Sequence, residues 1–216
     1  MAQRIGILGG TFDPVHLGHL HAAKNMLHEM KLDKLFLMPS FLPVHRDVPA
    51  VSSEQRLAML SLASKEERKI TVDGRELARK GPSFSIFSVE ELRAENPDAN
   101  LYFILGSDAM SQFHSWHRWQ EFLDYVNLVV LPRPKSCLTL AQEVSDYFAV
   151  KETKDIAEIL ARKSGSYYQS TKQMLDISAT EVRQALVKDE SVEDLLDKNV
   201  IAYIREHELY RQDLIQ

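Results

Sequence analysis

The feature that most narrows the fold is the order strand, glycine turn, helix, strand within the first forty residues. Arg4 to Leu8 is a short apolar run, Gly9 and Gly10 break it, and Leu17 to Met30 then places Leu20, Ala23, Leu27 and Met30 at helical spacing. Lys34 to Met38 is a second β run, so a βαβ unit is predicted, with parallel strands and a right-handed crossover. The alternation continues with a helix from about Ser53, where Leu57, Leu60 and Leu62 are candidate core positions, and a strand at Lys69 to Val72. A helix near Ser88 to Glu95 is closed by Asn96-Pro97. Strands follow at Leu101 to Leu105 and at Val126 to Leu131, the second closed by Pro132 and Pro134. That makes at least five strands.

After Ser136 the periodic signals weaken, and the polar segment from Leu138 to Ser170 supports no assignment. Ser178 followed by Glu181 reads as a capping box opening a helix through Val187, and another helix is expected from about Asp197 to His207. No internal repeat, low-complexity tract or Gly/Ser-rich linker divides the chain. The expectation is one α/β domain over 1–216: a Rossmann-like, doubly wound parallel sheet with helices on both faces, and 178–216 as its helical C-terminal part.

Composition limits the partners. With 44% apolar and 26% charged residues the chain is an ordinary globular one, and its formal charge of −5 argues against broad binding to nucleic acid or anionic membrane. An anionic ligand must therefore be met by local cations. The lone Cys137 excludes an intrachain disulfide and leaves too few thiols for a cysteine-based metal site, which suits a reducing compartment. The opening residues lack a signal peptide's apolar stretch, and no apolar run approaches the roughly 18 residues that span a bilayer. A cytoplasmic protein is expected.

The densest signal is Gly9-Gly10-Thr11-Phe12-Asp13-Pro14-Val15-His16-Leu17-Gly18-His19, set between the first strand and the first helix. Ligands of open parallel sheets bind at the carboxyl ends of the strands, and the amides that open the following helix favour anions. The spacing matches neither Gly-x-x-x-x-Gly-Lys-Ser/Thr nor Gly-x-Gly-x-x-Gly, so kinase and dehydrogenase readings lose support. His16 and His19, three apart, can face one bound group, and imidazole donors suit phosphoryl-type chemistry, which is limited by positioning and by charge on the equatorial oxygens. The pair could also ligate a metal with Asp13, but no nearby cysteine or His-Glu-x-x-His pattern supports that reading.

This segment resembles the first motif of the nucleotidyltransferases named for a His-x-Gly-His signature, and nearly the whole chain is similar to the bacterial nicotinate-nucleotide adenylyltransferases. The similar stretches include Pro43-Val44-His45-Arg46, Gly81-Pro82-Ser83-Phe84-Ser85, Leu105-Gly106-Ser107-Asp108, Trp116-His117-Arg118-Trp119 and Ile177-Ser178-Ala179-Thr180-Glu181-Val182-Arg183. The resemblance implies adenylyl transfer from ATP to nicotinate mononucleotide, with Mg²⁺ travelling with the ATP. It implies that His16 and His19 are catalytic, and that they hold ATP together with Gly9, Gly10, Thr11, Phe12, Gly18, Ser178, Thr180 and Arg183. It further implies that Trp116 stacks on the acceptor's ring, Ser85 lies at the ring carboxylate, Asp108 bonds a ribose hydroxyl, and His45, Arg46 and Arg133 meet the acceptor's phosphate. Trp119 is expected in the core. The family often has Pro-Pro-His-Lys or Pro-Pro-His-Arg, and Gly-Pro-Ser-Tyr-Thr, where this chain has Pro-Val-His-Arg and Gly-Pro-Ser-Phe-Ser. The second change touches the acceptor pocket and opens the choice between nicotinate and nicotinamide forms. Other readings are phosphopantetheine as acceptor and a non-catalytic nucleotide sensor; assembly into a homo-oligomer is compatible with all of them.

Overall fold

The computed structural model describes residues 2–42, 48–134 and 138–211. Six strands form one sheet: β1 (Arg4–Gly10), β2 (Lys34–Pro39), β3 (Ile70–Val72), β4 (Asn100–Gly106), β5 (Asn127–Leu131) and β6 (Tyr167–Gln169). Their order is β3-β2-β1-β4-β5-β6 and every pairing is parallel. This is the doubly wound arrangement, in which the order reverses beside β1 and opens a crevice above the carboxyl ends of β1 and β4.

Ten α-helices accompany the strands among the described residues. They are α1 (Leu17–Glu29), α2 (Ser53–Ser64), α3 (Arg75–Arg79), α4 (Ser85–Glu95), α5 (Ser107–Ser111), α6 (Phe122–Tyr125), α7 (Gln142–Ala149), α8 (Ile156–Ala161), α9 (Ala179–Val187) and α10 (Lys198–Glu206). Because successive strand side chains point to opposite faces, β4 feeds two separate cores. Tyr102 and Ile104 pack with Met26 of α1, Met59 of α2, Ile159 of α8 and Ile204 of α10. Leu101, Phe103 and Leu105 pack with Val89 of α4, Met110 of α5, Phe122 of α6 and Phe148 of α7. Full burial of such a side chain contributes about 1.5–3 kcal/mol, so both layers are strongly bound to the sheet.

Several sequence expectations need correction. Of the three leucines assigned to the core of α2, only Leu60 is buried; Leu57 and Leu62 are half-buried, and the inward face is made instead by Arg56, Met59 and Ser64. Helix α4 begins at Ser85, before the expected Ser88, with Phe84 at its N-cap. The segment from Leu138 to Ser170, which carried no legible period, holds α7, α8 and the edge strand β6. Strand β6 is only three residues long, too short to show alternation. The capping box before α9 is present: Ser178 Oγ accepts the Glu181 N–H at 3.2 Å and the Glu181 carboxylate accepts the Ser178 N–H at 2.9 Å. Among the described residues no helix is long and apolar enough to cross a membrane.

Arg56 shows why a charged residue belongs inside. It is 1% exposed, and its Nη1 donates to the Thr11 and Ser40 carbonyls, each at 2.7 Å, while Nη2 reaches the Phe41 carbonyl at 3.4 Å. One planar fork therefore holds the loop after β1 against the chain leaving β2. Arg56→Ala is expected to lower the unfolding free energy by about 3 kcal/mol, since it strands buried acceptors. Arg56→Lys, with no fork, should recover less than half of that loss. Urea denaturation of the three proteins checks both expectations.

Candidate active site

The crevice above β1 and β4 is a cavity of about 640 Å³. Its floor is formed where the strands end, at Gly10, Met38 and Gly106. All six strands run the same way, so all their exit loops lie on this side. Of the residues singled out from sequence, Gly9, Gly10, Thr11, Phe12, His16, His19, Ser85, Asp108, Trp116, Arg133, Ser178, Thr180 and Arg183 line this one cavity. Gly18 does not. His45 and Arg46 lie outside the described residues.

One wall is the turn from β1 into α1. Phe12 has a left-handed backbone, φ 51, an unusual conformation for a residue with a side chain. Its buried ring lies across Gly10, where an added Cβ would meet Phe12 Cζ at 3.1 Å, and stands edge-on to the His19 ring at 4.8 Å. The His16 and His19 rings stack with centroids 3.7 Å apart. The His16 backbone N–H donates to His19 Nδ1 at 3.2 Å, which by hydrogen-bond geometry leaves the proton of a neutral His19 on Nε2, as a donor. His16 is 1% exposed, and burial, then the Arg133 charge, lowers its pKa to about 3, while Glu181 opposes the shift. It is therefore neutral at physiological pH. Gly18, assigned to ATP from sequence, packs against the His16 ring: a Cβ there would come within 2.9 Å of His16 Nδ1.

The Asp13 carboxylate is engaged by the protein on both oxygens. Its Oδ2 accepts the Ala50 N–H at 2.7 Å and its Oδ1 accepts the Tyr210 hydroxyl at 2.8 Å. Among the described residues no group of three or more His, Cys, Asp or Glu could hold a metal ion. Arg183, on α9, crosses to this wall and donates from Nη1 to the Asp13 carbonyl at 2.6 Å. Its guanidinium is thus fixed beside the turn although it lies 170 positions downstream.

The opposite wall is aromatic. Trp116 is half-buried, held by Phe113 at 5.0 Å, Phe122 at 5.8 Å and Phe103 at 6.0 Å between centroids. Trp119 is buried against Phe113 and Tyr147, as expected of a core residue. The Phe84 and His117 rings meet at 4.7 Å beside Ser85. Asp108 and Arg133 pair, Oδ1 to Nε, at 3.4 Å, and the Arg133 N–H is anchored on Ser107 Oγ at 3.0 Å.

Sequence reasoning missed Glu76, Arg56 and Tyr210. Glu76 is buried, lines the cavity and accepts the Ser88 hydroxyl at 2.9 Å; burial pushes its carboxyl above the usual range. It lies on α3, a helix of five residues that offers no readable period. The cavity can take an elongated ligand, with anionic groups against imidazole and guanidinium donors on one side and a flat ring against Trp116 on the other.

The chain matches the cytidylyltransferase-like family over residues 7–185. A protein of Pseudomonas putida (strain W619) named "Probable nicotinate-nucleotide adenylyltransferase" is 41% identical over 210 residues, covering 97% of this chain and 95% of the relative. A protein of the same name from Aeromonas hydrophila is 42% identical over 207 residues, covering 96% and 97%. Among solved structures, Plasmodium falciparum nicotinic acid mononucleotide adenylyltransferase complexed with NaAD superposes with a TM-score of 0.73 at 18% identity. That alignment covers 96% of this chain and 97% of the other, a likeness of fold.

Two outcomes test this geometry. The His16 imidazole resonances should not move between pH 8 and pH 5; a titration midpoint above 5 would sink the assignment of a neutral, buried ring. Between its unfolded value near 6.5 and its folded value of about 3, only the unfolded chain binds this proton. His16 therefore makes stability fall as pH drops through that window, by on the order of a few kcal/mol in total. Separately, Gly18→Ala should displace the His16 ring and lower ligand-dependent turnover by about tenfold or more, read by steady-state kinetics.

Proposed function

The chain belongs to the nicotinate-nucleotide adenylyltransferase family, and from that membership and the site we infer that it transfers the adenylyl group of ATP to nicotinate mononucleotide, giving deamido-NAD and pyrophosphate. The reaction is a step of NAD biosynthesis. The observation that carries the reading is a single cavity lined both by the stacked His16–His19 pair at the head of α1 and by Trp116 facing it from beyond β4. The lone cysteine supports a cytoplasmic site of action.

A phosphate oxygen of the acceptor attacks the α-phosphorus of ATP in line. The bond to the bridging oxygen breaks, and pyrophosphate leaves with the electron pair. Such a reaction needs little covalent help, so the protein's task is to hold two anionic substrates in line and to meet charge on the equatorial oxygens. His19, donating from Nε2, and Arg183 carry that charge stabilisation, with Ser178 and Thr180 beside them at the head of α9. The neutral His16 stacks on His19 and fixes its plane. On the other side Trp116 takes the pyridine ring, Ser85 at the start of α4 lies at its carboxylate, Asp108 takes a ribose hydroxyl and Arg133 meets the acceptor's phosphate. A divalent ion, Mg²⁺, is expected to enter on the triphosphate and supply further charge neutralisation there. Its ligands are then substrate oxygens and water rather than a protein cage.

Pyrophosphate release with ATP and Mg²⁺ should occur with nicotinate mononucleotide and be much weaker with nicotinamide mononucleotide or without acceptor. Equal release with both forms would place the error at Phe84 and Ser85, and ATP binding with no release would favour a nucleotide sensor. His19→Ala should reduce turnover by about two decades while circular dichroism stays unchanged. Near-normal turnover would remove His19 from the chemistry.

A further inference from the structure

We infer that Tyr210 is a positioning residue for the turn that receives the ATP phosphates, acting through Asp13 with no contact of its own to the ligand. The inference rests on the reading of residues 9–19 as the phosphate site. Residues 11–16 belong to no helix or strand, so the ladder that fixes β1 does not fix them. They are held from behind by side chains and amides remote in sequence. The Arg56 fork takes the Thr11 carbonyl, Arg183 takes the Asp13 carbonyl, and the Leu17 N–H donates to the Leu195 carbonyl at 2.8 Å.

The remaining tie is the Asp13 carboxylate, which is 5% exposed and must find donors within the protein. The Ala50 N–H serves Oδ2, and the Tyr210 hydroxyl, 197 positions away in sequence, serves Oδ1. Tyr210 is 1% exposed and is not among the residues that line the cavity. Burial, followed by the Asp13 charge, pushes its hydroxyl pKa far upward, so it remains a donor throughout the working range. The segment that delivers it has left-handed backbone at Glu208 (φ 52) and at Tyr210 itself (φ 58), a conformation that side-chain-bearing residues keep where the surroundings impose it. Without the hydroxyl, Oδ1 is buried and short of a donor, and a cation stands close by in Arg183, whose Nη1 lies 3.8 Å from Oδ2. The carboxylate then competes with the ligand for the guanidinium that faces the cavity, and the turn that carries His16 loses its register. The aromatic wall is untouched.

The test uses the full chain with Tyr210→Phe, which removes one oxygen, and Leu209→Ala, which removes buried apolar volume next to it without altering a hydrogen bond (Leu209 is 6% exposed). Kinetic constants for ATP and for nicotinate mononucleotide are read well below both melting midpoints, together with hydrogen exchange of the amides of residues 11–18 in the absence of ligand. Tyr210→Phe should lower kcat/KM for ATP by about tenfold, leave the acceptor KM within about twofold, and speed exchange across residues 11–18. Leu209→Ala should lower the melting temperature and leave the ATP constants within about twofold. Parental ATP constants in Tyr210→Phe, or the same ATP loss in Leu209→Ala, would overturn the inference. If the parent protein itself releases no pyrophosphate, the functional reading fails, and the exchange experiment still decides the role of Tyr210: unchanged exchange at residues 11–18 rejects it.

Discussion

Strand β1 pairs in parallel with β2 on one side and with β4 on the other, and the site depends on that double pairing. Parallel strands deliver their exit loops to the same edge, so the turn after β1, the chain leaving β2 and the head of α5 after β4 converge on one side of the sheet. The reversal of strand order beside β1 leaves the gap between those loops uncovered by a crossover. A cavity at this place is a consequence of topology, and side chains determine only what it will hold.

The cavity sets Arg133 and Arg183 near the stacked His16–His19 pair, in a lining that also holds Asp13, Glu76 and Asp108. Arg183 is held by the Asp13 carbonyl, and Arg133 by its backbone N–H on Ser107 Oγ and by the ion pair of its side chain with Asp108. Fixed donors of this kind need no reorganisation when a charged ligand arrives, and in a partly water-excluded cleft they act more strongly than they would in bulk solvent. The same burial and the nearby guanidinium keep His16 neutral, stacked on His19 at the cavity wall.

The buried polar groups outside the cavity form a second layer with one purpose, to hold irregular backbone still. Arg56 and Tyr210, neither of which lines the cavity, both tie down the turn between β1 and α1, and neither had a sequence signal of its own. An arginine on an amphipathic helix reads as a solvated charge, and a tyrosine near a helix end reads as packing. What makes each of them matter is an unpaired carbonyl or carboxylate brought next to it by folding.

The sequence by itself determined the alternation of strands and helices, the glycine-rich turn with its paired histidines, and the capped start of α9, because these are local: hydrophobic period, turn chemistry and capping act within a few residues. It also carried the family resemblance that named most of the cavity's lining. Only the tertiary structure decided which leucines of α2 face inward, that the weakly patterned stretch around Tyr167 supplies a sixth strand, and that Glu76 and Tyr210 belong to the site's surroundings. Those facts depend on pairs of residues far apart along the chain. Their energies arise when burial removes water from a polar group and leaves a single partner in reach, a condition that no local pattern can encode.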